Sequence, residues 1–282
     1  MEKILYCPLC HQGLEKVDNT YKCINKHSYD IAKKGFVNLL LANQHHSDKS
    51  GDEKIMIEAR TFFLDSGKYA SFREKILEVM KSVVEENGYK TFSFVDAGCG
   101  EGYYTNYIHK ELSKITNIST FGVDLSKSAI NYCAIRQRQE HLENELFIIG
   151  NLMYLPFKDN SVDFLLNSFA KIDETEFLRV VKKGGWYLRV LPGKTHLKGL
   201  KEAIYDNVRL NEEKEYALEG FTLVNEETFT TNITLDNKEQ IKSLFMMTPY
   251  FYKSPKNGVE HLLSLDNLDT EISFNFLLYK KA

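Results

Sequence analysis

Cys7, Cys10, Cys23 and His27 follow the spacing C-x2-C-x12-C-x3-H. Two cysteines separated by two residues sit on a tight knuckle, so both thiolates can face one ion. Cys23 and His27 supply a second knuckle. Together they offer three sulfurs and one nitrogen, a tetrahedral set that zinc prefers. Four protein ligands leave no open position, so the expected Zn2+ is structural rather than catalytic. A segment this short buries too little apolar surface to fold alone, and metal binding would supply its folding free energy. His11, beside Cys10, is a competing ligand, and plain reduced thiols are the simpler alternative.

The second chemical stretch runs from Phe94 to Tyr104, FVDAGCGEGYY. The apolar run FSFV reads as a buried strand, the turn DAGCGEG follows, and YYTNYIHKEL reads as a helix. A strand, glycine turn and helix place a nucleotide-like ligand at the carboxyl edge of an open α/β sheet. Gly98, Gly100 and Gly102 lack Cβ atoms, which lets the backbone turn sharply and approach a ligand. The pattern is D-x-G-x-G-x-G starting at Asp96, not the dinucleotide pattern G-x-G-x-x-G. It resembles motif I of the S-adenosylmethionine-dependent methyltransferases, whose cofactor carries no phosphate.

The elements that must position such a turn recur in order. Phe121-Gly122-Val123-Asp124 reads as a second strand ending in a carboxylate able to accept both ribose hydroxyls. Leu146 to Gly150 reads as a third strand. It leads to Asn151 and Leu152, where an amide could read an adenine edge. Ser161 to Leu166 reads as a fourth strand, and Val180 to Leu188 as a helix end, turn and fifth strand. The fold class expected is α/β, a Rossmann-like S-adenosylmethionine-dependent methyltransferase domain with a small N-terminal zinc-binding module.

Composition sets bounds on function. The chain has 282 residues, 43% of them hydrophobic and 27% charged, with a formal net charge of -3. That size supports one large domain with a small appendage. The charge argues against a uniformly basic nucleic-acid coat, while a local patch remains compatible. No apolar stretch has membrane-spanning length, and the start MEKILYCPLC lacks the pattern of a signal peptide. The expected location is cytoplasmic, with no membrane partner. Five cysteines in such a chain suggest metal ligation or reduced thiols rather than disulfides.

The expected division is residues 1–45 as a zinc-binding RNA-recognition module, 46–90 as a helical connection and 91–282 as the methyltransferase domain. Aromatic residues interleave with Lys22, Lys26, Lys33 and Lys34 after the knuckles. Rings stack on bases and ammonium groups sit near phosphates in single-stranded RNA, although ordinary surface lysines on a small zinc module read the same way. Residues 41–52, with His45 and His46, read as a polar connection. Helical spacing then runs from Glu53 to Glu86 with a break near Ser66-Gly67, bordered by Arg60 and Tyr69. Cys99 reads as a small residue of the turn and Cys133 as core of a helix over 126–139. Beyond the fifth strand, a turn carries His196. Strands are expected over 228–234 and 272–279, around a helix over 238–246.

The zinc knuckles, AKKGFVNLLL, the GD…M..AR.FFL..G.Y segment, DAGCGEGYYT, LPGKTHL…IYDNV and MTPY together resemble the RlmA-type family of bacterial 23S ribosomal RNA guanine-N1 methyltransferases. The resemblance runs from Cys7 to about Tyr279. It implies an N-terminal zinc module that helps grip an rRNA hairpin, and a Rossmann-like domain that binds S-adenosylmethionine. It implies Cys7, Cys10, Cys23 and His27 as metal ligands. Tyr69, Glu101, Gly102 and His196 become cofactor contacts, while Asp124 and Asn151 follow the general methyltransferase pattern. A homodimer is the family's expectation. Family members tend to place a proline in the loop after the fourth strand. Here that loop reads Asn167-Ser168-Phe169-Ala170-Lys171, with lysine at the proline position. Phe169 is expected to stack on the target base, with a core role as the alternative, and Lys171 to meet a phosphate. The alternatives are a methyltransferase acting on another RNA or a small molecule, and a zinc-bearing RNA-binding protein that has lost turnover.

Overall fold

A computed structural model of the chain describes residues 2–44, 54–212 and 216–282. His45, His46 and most of the connecting segment lie outside the described residues. The small module contributes β1 (Glu15–Val17), β2 (Thr20–Lys22) and β3 (Ser28–Asp30), which form a three-stranded antiparallel sheet, and then β4 (Val37–Asn38). Two helices follow, α1 (Lys54–Asp65) and α2 (Ala70–Glu86). The alternating core is β5 (Thr91–Ala97), α3 (Tyr103–Leu112), β6 (Asn117–Asp124), α4 (Lys127–Gln139), β7 (Glu145–Ile149), β8 (Val162–Ser168), α5 (Glu174–Val180) and β9 (Val181–Pro192). The chain ends with α6 (Lys198–Ile204), β10 (Phe221–Leu235), α7 (Lys238–Met246), α8 (Lys256–Ser264) and β11 (Leu268–Lys281).

The main sheet has eight strands in the order β10-β11-β9-β8-β5-β6-β7-β4. From β9 to β4 the pairs are parallel, and β11 and β10 close one edge antiparallel. From β5 in the middle, the alternating core builds outward through β6 and β7, then returns to β8 on the other side of β5. The order therefore reverses between β5 and β8, and an open α/β sheet binds its ligand at the carboxyl ends of such a pair.

The central strands β5, β6, β7 and β8 are buried on both faces along most of their length, which accounts for runs such as FSFV, whereas the edge strand β10 is largely exposed. On β5, Phe92 and Phe94 join the core under α1, α2 and α3, while Val95 and Ala97 join the opposite core. Helix α2 presents Phe72, Ile76, Met80, Val83 and Val84 at helical spacing to the first core. The zinc module lies on the second face. Leu5, Leu14 and Tyr21 share a core with Phe121, Leu146 and Phe157. Val37 pairs with Ile148 in parallel register, and Leu5 bridges to Phe157. The module's own chain thus supplies the last strand of the main sheet. Among the described residues no helix is long and apolar enough to cross a membrane.

Candidate cofactor cavity and metal centre

The turn after β5 is built by backbone that only glycine adopts readily. Gly98 has φ +94°, Gly100 +55° and Gly102 +82°. The N–H groups of Gly98 and Cys99 both donate to the Val123 carbonyl, at 2.9 and 3.2 Å, which ties the turn to the end of β6. A Cβ on Gly98 would overlap the Cβ of Ala170, and one on Gly102 would lie 2.5 Å from Asn106 Oδ1. Asp124 holds the two turns together. Its Oδ2 accepts from the Gly100 N–H at 3.1 Å and its Oδ1 from the Ser126 N–H at 2.8 Å. Asp96 sits below, fully buried, accepting from the Thr105 hydroxyl at 2.5 Å. Burial pushes its carboxyl up to about 7.

A cavity of about 760 Å³ opens above this turn. Arg60 and Tyr69 line it from the α1–α2 side, and Asp96, Gly98, Gly100 and Glu101 from the turn. Asp124 at the end of β6, with Asn151 and Leu152 after β7, forms a second wall. Phe169 and Lys171 after β8, and His196 before α6, form a third. The sequence-predicted residues therefore converge on one space, except Gly102, which caps α3 and packs against Asn106 and Cys133. Glu101 Oε1 is buried there without a hydrogen-bond partner. An unpartnered buried carboxylate oxygen accepts a donor at little further desolvation cost. A cofactor carrying an ammonium and ribose hydroxyls fits that lining.

In the N-terminal module, Cys7, Cys10, Cys23 and His27 place their ligand atoms within 4.8 Å of one another. Cys10 Sγ lies 3.7 Å from Cys23 Sγ, and His27 Nδ1 lies 3.4 Å from Cys7 Sγ and 3.5 Å from Cys23 Sγ. A tetrahedral zinc with bonds of about 2.0 to 2.3 Å spaces its ligands about 3.5 to 3.8 Å apart. The donor set and its spacing fit that ion. The Gln12 backbone N–H lowers the Cys10 thiol to about 6, toward the thiolate that a metal requires. The Tyr29 hydroxyl lies 3.1 Å from Cys7 Sγ and orients that ligand. His11 falls outside the cluster. Its exposed ring packs against Tyr6 at 4.9 Å.

The comparisons with known proteins agree with both sites. A family model described as "RlmA, N-terminal", a zinc ribbon, matches residues 5–48, and one described as "Methyltransferase domain" matches residues 89–245. A 23S rRNA (guanine(748)-N(1))-methyltransferase of Streptomyces fradiae is 26% identical over 94% of this chain and 92% of its own length. A protein of Micromonospora griseorubida, provisionally named a 23S rRNA (guanine-N(1)-)-methyltransferase, is 30% identical over 71% of this chain and 69% of its own. A Bacillus subtilis protein with the same provisional name is 26% identical over 98% of this chain and 96% of its own. The chain belongs to the RlmA-type methyltransferase family. Its cofactor is S-adenosylmethionine and its metal is a structural zinc.

Within this RlmA-type enzyme the remaining cavity residues have defined states. His196 is buried, and Nδ1 accepts from the Ser273 N–H at 3.3 Å. Burial and the nearby Lys201 charge push its imidazole down to about 3, so it is neutral with its proton on Nε2. It is a donor, not a base. The Asn151 amide is engaged locally. Its Oδ1 accepts from the Met153 N–H at 3.0 Å and its Nδ2 donates to the Gln44 carbonyl at 3.4 Å. Tyr69 is 2% exposed and packs edge-on against Phe63 and Phe274. Phe169 adopts φ +59°, which turns it to the cavity mouth, where it is 44% exposed and parallel to the His196 ring at 6.2 Å. Lys171 Nζ has the Met153 sulfur at 3.8 Å. The sequence reading did not assign Tyr104, Asn211 or the segment Met247–Tyr250, which also line the cavity. The motif MTPY was the available signal for the last of these.

Proposed function

We propose that this chain transfers the methyl group of S-adenosylmethionine to N1 of a guanine in a hairpin of 23S rRNA. The supporting observation is the joining, in one chain matched nearly end to end by its relatives, of a zinc ribbon to a motif I cavity with an exposed aromatic ring at its mouth.

Bound cofactor supplies an electrophilic methyl on a sulfonium sulfur. The protein's share is alignment and exclusion of water. The Asp124 carboxylate, held at the end of β6 by the Gly100 and Ser126 N–H groups, would accept the ribose hydroxyls. Asn151 and Leu152 border the adenine, and Glu101, Tyr69 and the His196 Nε2–H hold the methionyl end. A paired guanine hides N1 in its hydrogen bond, so the target base enters unpaired or flipped, with the Phe169 ring as its stacking surface. Lys171 meets a phosphate beside it. Guanine N1 would receive the methyl group that bound cofactor supplies and would release its proton to water at the cavity mouth. His196 cannot take that proton, because Nδ1 is engaged by Ser273 and Nε2 already carries one.

The zinc module, residues 1–45, grips the hairpin, 46–90 connect, and 91–282 carry the chemistry. A cytoplasmic homodimer free of membrane is part of the same proposal. Incubating the purified chain with methyl-labelled cofactor and unmodified 23S rRNA, 16S rRNA or small-molecule extracts tests the substrate class. Label on 23S rRNA alone supports the reading. Tight RNA binding without label favours an RNA-binding protein that has lost turnover.

A further inference from the structure

A second cavity, of about 660 Å³, adjoins the cofactor cavity and shares Leu191, Pro192, Asn211 and Tyr250 with it. Among the described residues its lining carries three cations, Arg189 from β9, Lys201 from α6, and Arg209 from the segment beyond α6, against one exposed carboxylate, Glu212. Lys201 is 4% exposed, yet its Nζ bonds only the neutral Asn211 Oδ1, at 3.0 Å, and lies 5.8 Å from the Tyr250 ring. Arg189 Nε is buried without any partner. Among the described residues, none of these three cations is in an ion pair, although surface lysines elsewhere are widely paired. Burial pushes the Lys201 ammonium below the ordinary lysine range, the direction expected of a cation lacking a counter-charge.

Burying charge without a partner is unfavourable, and an incoming anion relieves it. The aromatic rings beside these cations, Tyr205 and Tyr250, add faces on which a nucleotide can stack. We infer that this chamber holds a phosphodiester of the RNA strand next to the guanine being methylated. The inference rests on the proposed rRNA reaction and extends it to the flanking nucleotide. The shared rim at Leu191 and Pro192 lets one strand place its target base over the cofactor and its neighbouring phosphate against Lys201 and Arg209. The other anion in such an enzyme is the carboxylate of the cofactor itself, and the test separates the two.

Lys201→Gln, Lys201→Arg and Arg209→Gln are made in the full chain, with thermal melting to confirm folding. Binding of a labelled 23S rRNA hairpin is measured by fluorescence anisotropy over a series of salt concentrations, and cofactor binding by calorimetry. Arg209 is exposed, so its variant keeps the fold even if Lys201→Gln does not. The expected result is hairpin affinity lower by on the order of tenfold at low salt in both Gln variants, with the log–log salt slope shallower by about 0.7 to 0.9 per charge removed. Lys201→Arg keeps both, and cofactor affinity is unchanged. Wild-type hairpin affinity and slope in Arg209→Gln and folded Lys201→Gln would overturn the inference, as would a loss confined to cofactor binding. Wild-type protein that binds the hairpin but transfers no methyl group overturns the catalytic reading and leaves the chamber measurable. Wild-type protein that binds no RNA overturns both.

Discussion

The Cβ of Ala170 occupies the space that a Cβ on Gly98 would need. The loop after β8 and the turn after β5 therefore close on each other at the point where the strand order reverses. Gly98→Ala meets both this overlap and a backbone φ of +94°. The expected outcome is destabilisation of about 1–3 kcal/mol, with S-adenosylmethionine affinity reduced at least tenfold in calorimetric titration.

The zinc centre belongs to the main core as well as to the module, since Cys7, Tyr21 and Leu5 pack with strands of the large sheet. Metal analysis should find one zinc per chain. In Cys23→Ala the zinc should be lost and Tm should fall by several degrees, because metal binding contributes folding free energy. RNA affinity should fall with it while cofactor affinity stays within about twofold, since none of the four ligands lines the cofactor cavity.

Glu145 and Asn106 form a buried pair in which Asn106 Nδ2 donates to Glu145 Oε2 at 2.9 Å, while Glu145 Oε1 and Asn106 Oδ1 are both left as acceptors without donors. A proton on Glu145 supplies the missing donor. Burial accordingly raises its carboxyl from 4.5 to about 8. The folded state then binds more protons than the unfolded one between those values, so stability is full below pH 4.5 and declines as pH rises through 8. Asp96, raised to about 7, adds a decline of the same sign over pH 4 to 7. In Glu145→Gln an amide replaces the acid and donates without titrating. The variant should melt a few degrees above wild type at pH 8 and lose its advantage near pH 5, a comparison calorimetry at the two pH values makes directly.

Lys171 stands where the family resemblance implies a proline. Among the described residues its ammonium bonds a methionine sulfur alone, at 3.8 Å. Lys171→Ala should weaken hairpin binding by roughly threefold to tenfold, the scale of one exposed phosphate contact, with cofactor affinity unchanged. Unaltered RNA affinity would remove Lys171 from the recognition surface.

Much of the architecture was legible because its signals are local. The knuckle spacing, the D-x-G-x-G-x-G turn and the helix over 238–246 each depend on neighbours in sequence, and the structure has zinc-spaced ligands, a left-handed turn and α7 at those places. What the sequence hid depends on distant partners. Val37 and Asn38 become a strand only because Ile148 and Ile149 lie beside them. The segment of α8 contains Gly258, which reads as a helix breaker. In the fold it is a close contact, where any Cβ would strike the Ile204 backbone. The tautomer of His196 is set by Ser273, far along the chain. The convergence of the Arg189 and Lys201 charges, in no ion pair among the described residues, is visible only once β9 and α6 meet.

The central claim is a chemical one about a single nitrogen. Unmodified 23S rRNA should be treated with the enzyme and cofactor, digested to nucleosides and analysed by mass spectrometry. The account predicts 1-methylguanosine approaching one per rRNA molecule, lost in Asp124→Ala. Methylation at any other base or ring position, or none while the protein binds both cofactor and RNA, would contradict it.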